Sequence, residues 1–293
     1  MKFRDYHVHL EQGPYTMEWI KIFVEEGIKK GVAEIGFSEH GHRFVQAKDL
    51  WKSEGFRGQW TLKEATEDID EYVKIVEKAK GLGLPVKLGI EMDYIPEYED
   101  EIRDFINKYS FDYVLGAVHW IGDFGFDHPA LINEWNLRDV DDTYREYFDI
   151  LLKAIKSGIF DCIAHPDVIK VFGHRARGDM SKIYEEVAKT MKEMDLCAEV
   201  STAGFRKPVG ELYPAPLMLE CFRKYDVPIM INSDAHRPED VGRDFDKALD
   251  FVKSYGYDRF CFFDKRQKKF YKIRCESGDG SLTQSQNRFG CKG

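Results

Sequence analysis

His7 and His9, separated by Val8 near the start of the chain, are the first residues whose spacing suggests chemistry. On a β-strand, side chains two apart share a face, so both imidazoles can reach one metal ion from the same side. Two imidazoles leave most of a coordination shell empty. The chain supplies more candidates in Ser38-Glu39-His40-Gly41-His42, Glu91-Met92-Asp93, Ala117-Val118-His119, Ala164-His165-Pro166-Asp167 and Asn232-Ser233-Asp234-Ala235-His236. Each cluster follows an apolar run that reads as a strand, and with His7 and His9 they hold seven of the nine histidines. The candidate ligands are His7, His9, His40, Glu91, His119, His165, Asp234 and His236, with His42, Glu11 and Glu199 in reserve. Zinc takes about four ligands and manganese or iron about six, so this set implies a multinuclear site of Zn, Mn or Fe.

The elements that must position these residues follow a rhythm. Apolar spacing predicts a helix over 16–30, a strand over 32–37, then an irregular excursion over 43–60. Thr61-Leu62-Lys63-Glu64 has the form of a capping box opening a long helix to about Lys80. Strands at 85–90 and 113–118 follow, with a helix over 98–109 between them. A second capping box at Thr143-Tyr144-Arg145-Glu146 opens a helix that stops at Gly158, and a strand over 159–164 delivers His165. Helices at 179–195, 216–225 and 239–255, strands at 197–200 and 228–231, and a hairpin over 259–274 complete the series. Seven strand-helix units predict a parallel α/β barrel, and every candidate ligand falls at the C-terminal end of its strand, where such barrels carry their chemistry. Residues 1–275 read as one barrel domain, and 276–293, rich in Ser, Gly and Gln, as a disordered tail.

The bulk composition narrows the classes. The 293 residues are 43% hydrophobic and 32% charged with net charge −9, which suits a globular protein and not a nucleic-acid binder. No apolar run reaches the roughly 20 residues that span a bilayer, and no signal-peptide pattern opens the chain, so a cytoplasmic protein is expected. The six cysteines form no Cys-x-x-Cys and read as free buried thiols.

Paired metals bridge a water, lower its pKa and clamp the oxygens of a displacement at phosphorus, so hydrolysis is the natural chemistry. The metal series resembles the PHP (polymerase and histidinol phosphatase) family from about residue 3 to 260. The segment Ser201-Thr202-Ala203-Gly204-Phe205-Arg206-Lys207-Pro208-Val209-Gly210-Glu211-Leu212-Tyr213-Pro214 is similar to one in its histidinol-phosphate phosphatase branch. The resemblance implies a distorted (β/α)7 TIM-like barrel with three metals and hydrolysis of L-histidinol phosphate in histidine biosynthesis. It implies a first metal on His7, His9, Glu91 and Asp234, a second on Glu91, His119 and His165, and a third on His40 and His236. Some members place a histidine shortly after the first pair, where this chain has Leu10-Glu11-Gln12-Gly13; Glu11 or His42 could supply the missing ligand.

A metal-bridging hydroxide would attack in line, with Asp234 or a neighbouring histidine protonating the leaving alkoxide. Phosphate charge calls for donors, and His42, Lys170, Arg175, Arg177, Arg206 and Lys207 are the basic groups near the strand ends, Arg206 and His42 foremost. Trp120, Phe172 and Tyr213 could stack on the organic part of the substrate. Glu39 reads as a partner orienting an imidazole. Glu199 reads equally as a site or a core carboxylate, Asp93 as a site or a turn residue. His128 and His174 read as loop residues. The expected partner is a small phosphate monoester, with neither nucleic acid nor membrane. The rival readings are a phosphodiesterase or exonuclease on nucleic acid and a non-catalytic metal-stabilised module.

Overall fold

A computed structural model describes residues 3–273; the expected tail, Cys275 and Cys291 lie outside them. The strands are β1 (Phe3–Val8), β2 (Val32–Phe37), β3 (Val86–Asp93), β4 (Tyr113–Ala117), the short ribbon β5 (Trp120–Ile121) and β6 (Phe124–Gly125), then β7 (Cys162–Ile163), β8 (Cys197–Ser201), β9 (Ile229–Asn232) and the hairpin β10 (Phe260–Asp264) and β11 (Gln267–Tyr271). Seven of them form one parallel sheet in the order β1-β2-β3-β4-β7-β8-β9. The helices are α1 (Met17–Lys29), α2 (Phe56–Glu64), α3 (Ile69–Gly81), α4 (Glu99–Asn107), α5 (Val140–Lys156), α6 (Ser181–Glu193), α7 (Pro216–Lys224) and α8 (Phe245–Ser254). The fold is a distorted (β/α)7 barrel. No helix among the described residues is long and apolar enough to cross a membrane.

The sheet closes at the end that matters for the site. β1 and β9 share no full ladder; Val8 bridges Ala235 instead, with His9 N donating to Ala235 O at 2.8 Å and Ala235 N to His7 O at 3.1 Å. Side chains make the remaining links. Asn232 Oδ1 accepts from Tyr6 N at 2.8 Å, and the buried Asp5 carboxylate accepts from Ser233 N at 3.0 Å and Gly242 N at 2.9 Å. The opposite end is plugged by the hairpin, whose partners all lie where strands begin. Lys87 pairs with Asp264 at 2.8 Å, Arg266 with Asp161 at 2.9 Å, and Cys197 is bonded to Cys261. That disulfide corrects the expectation of free thiols, because the hairpin, 64 residues on, brings the two sulfurs together; Cys162 and Cys221 are free and buried.

Local sequence explains most boundaries. Thr16 caps α1, its hydroxyl accepting from Trp19 N at 3.2 Å, and Ile20, Phe23 and Val24 supply the buried face. Two expected capping boxes do not form. Thr61 is buried inside α2, and α3 starts afresh behind Asp68, whose carboxylate accepts from Asp70 N at 2.7 Å. Asp139, not Thr143, caps α5 through Asp142 N at 3.0 Å. A carboxylate beside the right backbone N–H wins in both places. The excursion over 43–60 is also more ordered than expected, since it contains the start of α2 and is held by the buried Arg57, which donates to Gly122 O and Lys52 O at 3.1 Å each.

Candidate metal centre

Each strand end delivers its ligand to one point. His7 lies on β1 and His9 just past it, Glu91 on β3, His119 after β4, His165 after β7, and Asp234 and His236 after β9. Glu91 is the hub. Its Oε1 stands 2.9 Å from His165 Nε2 and 3.4 Å from His7 Nε2, while its Oε2 stands 2.7 Å from His40 Nδ1 and 3.8 Å from His9 Nε2. Asp234 Oδ1 faces His236 Nε2 at 3.2 Å, His9 Nε2 at 3.3 Å and His7 Nε2 at 3.6 Å. All eight sequence-derived ligands are therefore brought together.

Their far sides are equally ordered. His7 Nδ1 meets Glu199 at 2.8 Å, His119 Nδ1 meets Asp93 at 2.7 Å, His236 Nδ1 meets Glu11 at 2.7 Å, and His9 Nδ1 lies 3.5 Å from Glu39. A carboxylate behind an imidazole fixes the ring's tautomer and aims its other nitrogen, the usual support of a metal ligand. Glu199 and Asp93 thus stand behind imidazoles, as Glu39 does. Trp51 of the excursion extends one such relay by donating to Asp93 Oδ2 at 3.0 Å. His165 (φ 25°) and Asp234 (φ 50°) hold left-handed backbone that non-glycine residues rarely adopt, the strain expected where function fixes geometry.

These residues fit divalent metal. His7 Nε2, His9 Nε2 and His165 Nδ1 are buried without a hydrogen-bond partner, each a cost of about 1–3 kcal/mol unless something binds there. Ligand atoms lie within 4.8 Å of one another in the sets His7/His9/Glu91, Glu91/His119/His165, His9/His40/His236 and His7/His165/Glu199. The electrostatics agree. Burial would raise Glu91, yet His7, His40 and His165 hold it well below the usual carboxylate range. Asp234 is likewise held down against burial by His7, His236 and His9.

The basic residues divide sharply. Arg206 donates through Nη2 to Ser233 O at 2.6 Å and Asp234 O at 3.1 Å, leaving a buried, unpartnered Nη1. Lys170 is buried and committed to Leu212 O, Asp167 and Glu211 at 2.7–2.9 Å, so no ammonium hydrogen is left for substrate. Arg175 pairs with Glu211 at 3.0 Å, and the exposed side chains of Arg177 and Lys207 make no hydrogen bond or ion pair among the described residues. Tyr213 turns its ring edge to His165 at 6.3 Å and buries an unpartnered hydroxyl.

Beside the ligands lies a cleft of about 300 Å³, lined among others by His42, Arg43, Trp60, Trp120, Asp127 and His128. Burial and the neighbouring His40, His119 and Arg43 hold His42 well below the ordinary histidine value, hence neutral. Trp60 and Trp120 meet at 5.3 Å, and the Asp127 carboxylate has no hydrogen bond or ion pair among the described residues. His128 lines the cleft but turns Nδ1 to Ala130 N, and His174 stacks on Trp135 elsewhere. Arg43 and Trp60 belong to the excursion over 43–60 read from sequence, whereas Asp127 was not singled out there.

Comparison with known proteins follows the same line. A Deinococcus radiodurans protein named "Probable histidinol-phosphatase" is 30% identical over 256 residues, covering 86% of this chain and 93% of the relative. The Bacillus subtilis histidinol-phosphatase is 23% identical, covering 85% and 99%. The crystal structure of Lactococcus lactis histidinol phosphate phosphatase, complexed with zinc, L-histidinol and phosphate, shares the fold with a TM-score of 0.70 at 21% identity, over 92% of this chain and 100% of that one. The PHP domain family matches residues 5–203, more than half of the sequence. On these grounds the chain belongs to the PHP domain family.

Proposed function

We propose that this protein is a metal-dependent phosphomonoesterase that hydrolyses L-histidinol phosphate to L-histidinol and phosphate in the cytoplasm. The observation that carries the proposal is the pair of carboxylates, Glu91 and Asp234, set among six imidazoles. Relatives named histidinol-phosphatase along nearly their whole length support the substrate. Residues 1–275 are assigned to one barrel domain. Two or three ions of Zn, Mn or Fe are assigned to His7, His9, Glu91 and Asp234, to Glu91, His119 and His165, and to His40 and His236 with His9.

Divalent ions bound there would lower the pKa of a water between them and neutralise phosphoryl charge. Asp234, or a histidine beside it, passes a proton to the leaving alkoxide. Arg206 Nη1 and the Tyr213 hydroxyl, kept protonated by burial and by the nearby Asp167 and Asp234, donate to phosphoryl oxygens. Neutral His42 offers a further donor from the cleft. Trp60, Trp120 and Asp127 form an aromatic and acidic wall suited to an imidazole and an ammonium group.

The test is phosphate release by Zn- or Mn-loaded protein from L-histidinol phosphate and from a generic monoester at equal concentration. A kcat/KM preference on the order of 100-fold or more for histidinol phosphate is expected. Equal rates would remove the substrate assignment, and faster release of nucleotides from single-stranded DNA would replace it.

A further inference from the structure

Arg43 stands in the cleft wall beside the stacked rings of His9, His40 and His236, yet it is enclosed by carboxylates. Its Nε donates to Glu67 Oε1 at 3.0 Å and its Nη2 donates to the same oxygen. Its Nη1 faces Glu11 Oε2 at 3.5 Å and Glu64 Oε2 at 3.9 Å. Glu67 is anchored in turn: its Oε2 accepts from the Tyr15 hydroxyl, and its backbone exchanges bonds with Arg43 O at 2.9 Å and Val45 N at 2.9 Å. At the other end of the chain of contacts, Glu11 Oε1 takes His236 Nδ1 at 2.7 Å. A continuous line, Tyr15–Glu67–Arg43–Glu11–His236, thus runs from the rim to the third group of ligands, drawing on four separate segments of the sequence.

The rings at that end are already arranged. His9 and His40 stack at 4.0 Å, His9 and His236 at 4.5 Å, and their ligand nitrogens lie within 4.8 Å of one another. Of the three, His236 is the most exposed, with a third of its side chain accessible, and it needs external support to hold its angle. Glu11 gives that support only while its second oxygen is held, and Arg43 is the cation that faces it. Three surrounding carboxylates balance the Arg43 charge, which fits a structural tie better than a receptor for a free anion.

We infer that Arg43, through Glu11, is a positioning residue that sets the metal affinity of the His9/His40/His236 site and has little effect on the ions held around Glu91. The inference rests on the multinuclear reading of the centre. The test strips the protein with chelator and titrates zinc against a competing chromophoric chelator, with metal content per chain measured in parallel. The wild type is expected to take three ions. Arg43→Ala and Glu67→Gln should each weaken the last ion roughly 10–100-fold and leave the other two unchanged, the usual consequence of losing a partner behind a ligand. Arg43→Lys, which keeps the charge and loses the fork, should recover part of the affinity. Circular dichroism of the metal-free variants checks that each is folded, and Arg43→Lys and Glu67→Gln carry the test if Arg43→Ala is not. Three ions with unchanged affinities in the variants would overturn the role of Arg43 alone. A wild type that takes only two ions would overturn the third site and the inference with it.

Discussion

The two ends of this barrel are built from the same strands and solve opposite problems. At the floor, hairpin β10–β11 supplies partners to the starts of β3, β7 and β8, and Tyr6 and Tyr113 stack at 4.9 Å in the interior. Nearly every polar group there is satisfied, the Tyr113 hydroxyl being an exception. At the mouth, the buried imidazole nitrogens His7 Nε2, His9 Nε2 and His165 Nδ1 lack hydrogen-bond partners. The difference teaches where this sequence places stability and where it gives stability up. Damage to the floor should cost folding and spare chemistry, and damage to the mouth should do the reverse.

The largest effect is expected from Glu91→Gln. Losing the hub carboxylate should lower kcat/KM on the order of 1,000-fold or more and reduce bound metal, with the fold kept by circular dichroism. The floor counterpart is Phe263→Ala. This buried hairpin ring should cost about 3 kcal/mol or more in denaturant titration, with kcat per folded molecule unchanged. If the two variants showed the same balance of lost activity and lost stability, the division between the ends would be gone.

A smaller effect separates ligands from their supports. Asp93→Asn removes the carboxylate behind His119 and should weaken metal binding roughly 10–100-fold, with activity recovering as metal is added. Failure to recover at saturating metal would mean that Asp93 acts on the substrate itself.

The smallest is a pH effect on stripped protein. Burial lowers both His119 and His236, but Asp93 and Asp127 around the first, and Asp234 and Glu11 around the second, push each up to about 10 from 6.5. A histidine raised on folding contributes stability fully below the unfolded value, and that contribution is lost as pH climbs through the folded one. The Tm of metal-free protein should therefore decline between about pH 6.5 and 10, and metal loading near pH 7.5 should release protons, His7 and His40 being raised as well. A flat Tm with no proton release would contradict the charge pairing.

Much of this was legible in the sequence because barrel topology turns strand ends into neighbours. Once the strand rhythm is read, His9 and His236 must meet even though 227 positions separate them. The ligands also carry their own signal, since histidine after an apolar run is uncommon without purpose. What escaped depends on contacts with no short-range signature. Thr61 has the spacing of a capping box and lies inside a helix, whereas Asp68 caps the helix that follows. Lys170 looks like a phosphate donor until its burial beside Asp167 and Glu211 is seen. Arg43 and Glu67 lie 24 residues apart on irregular backbone, and only the folded chain shows that they belong to the site.

The most direct measurement is anomalous diffraction at the zinc edge from crystals of the zinc-loaded protein. The account expects peaks between His7, His9, Glu91 and Asp234 and between Glu91, His119 and His165, with ligand distances of about 2.0–2.2 Å. Fully active crystals with no anomalous peak at the mouth would contradict it.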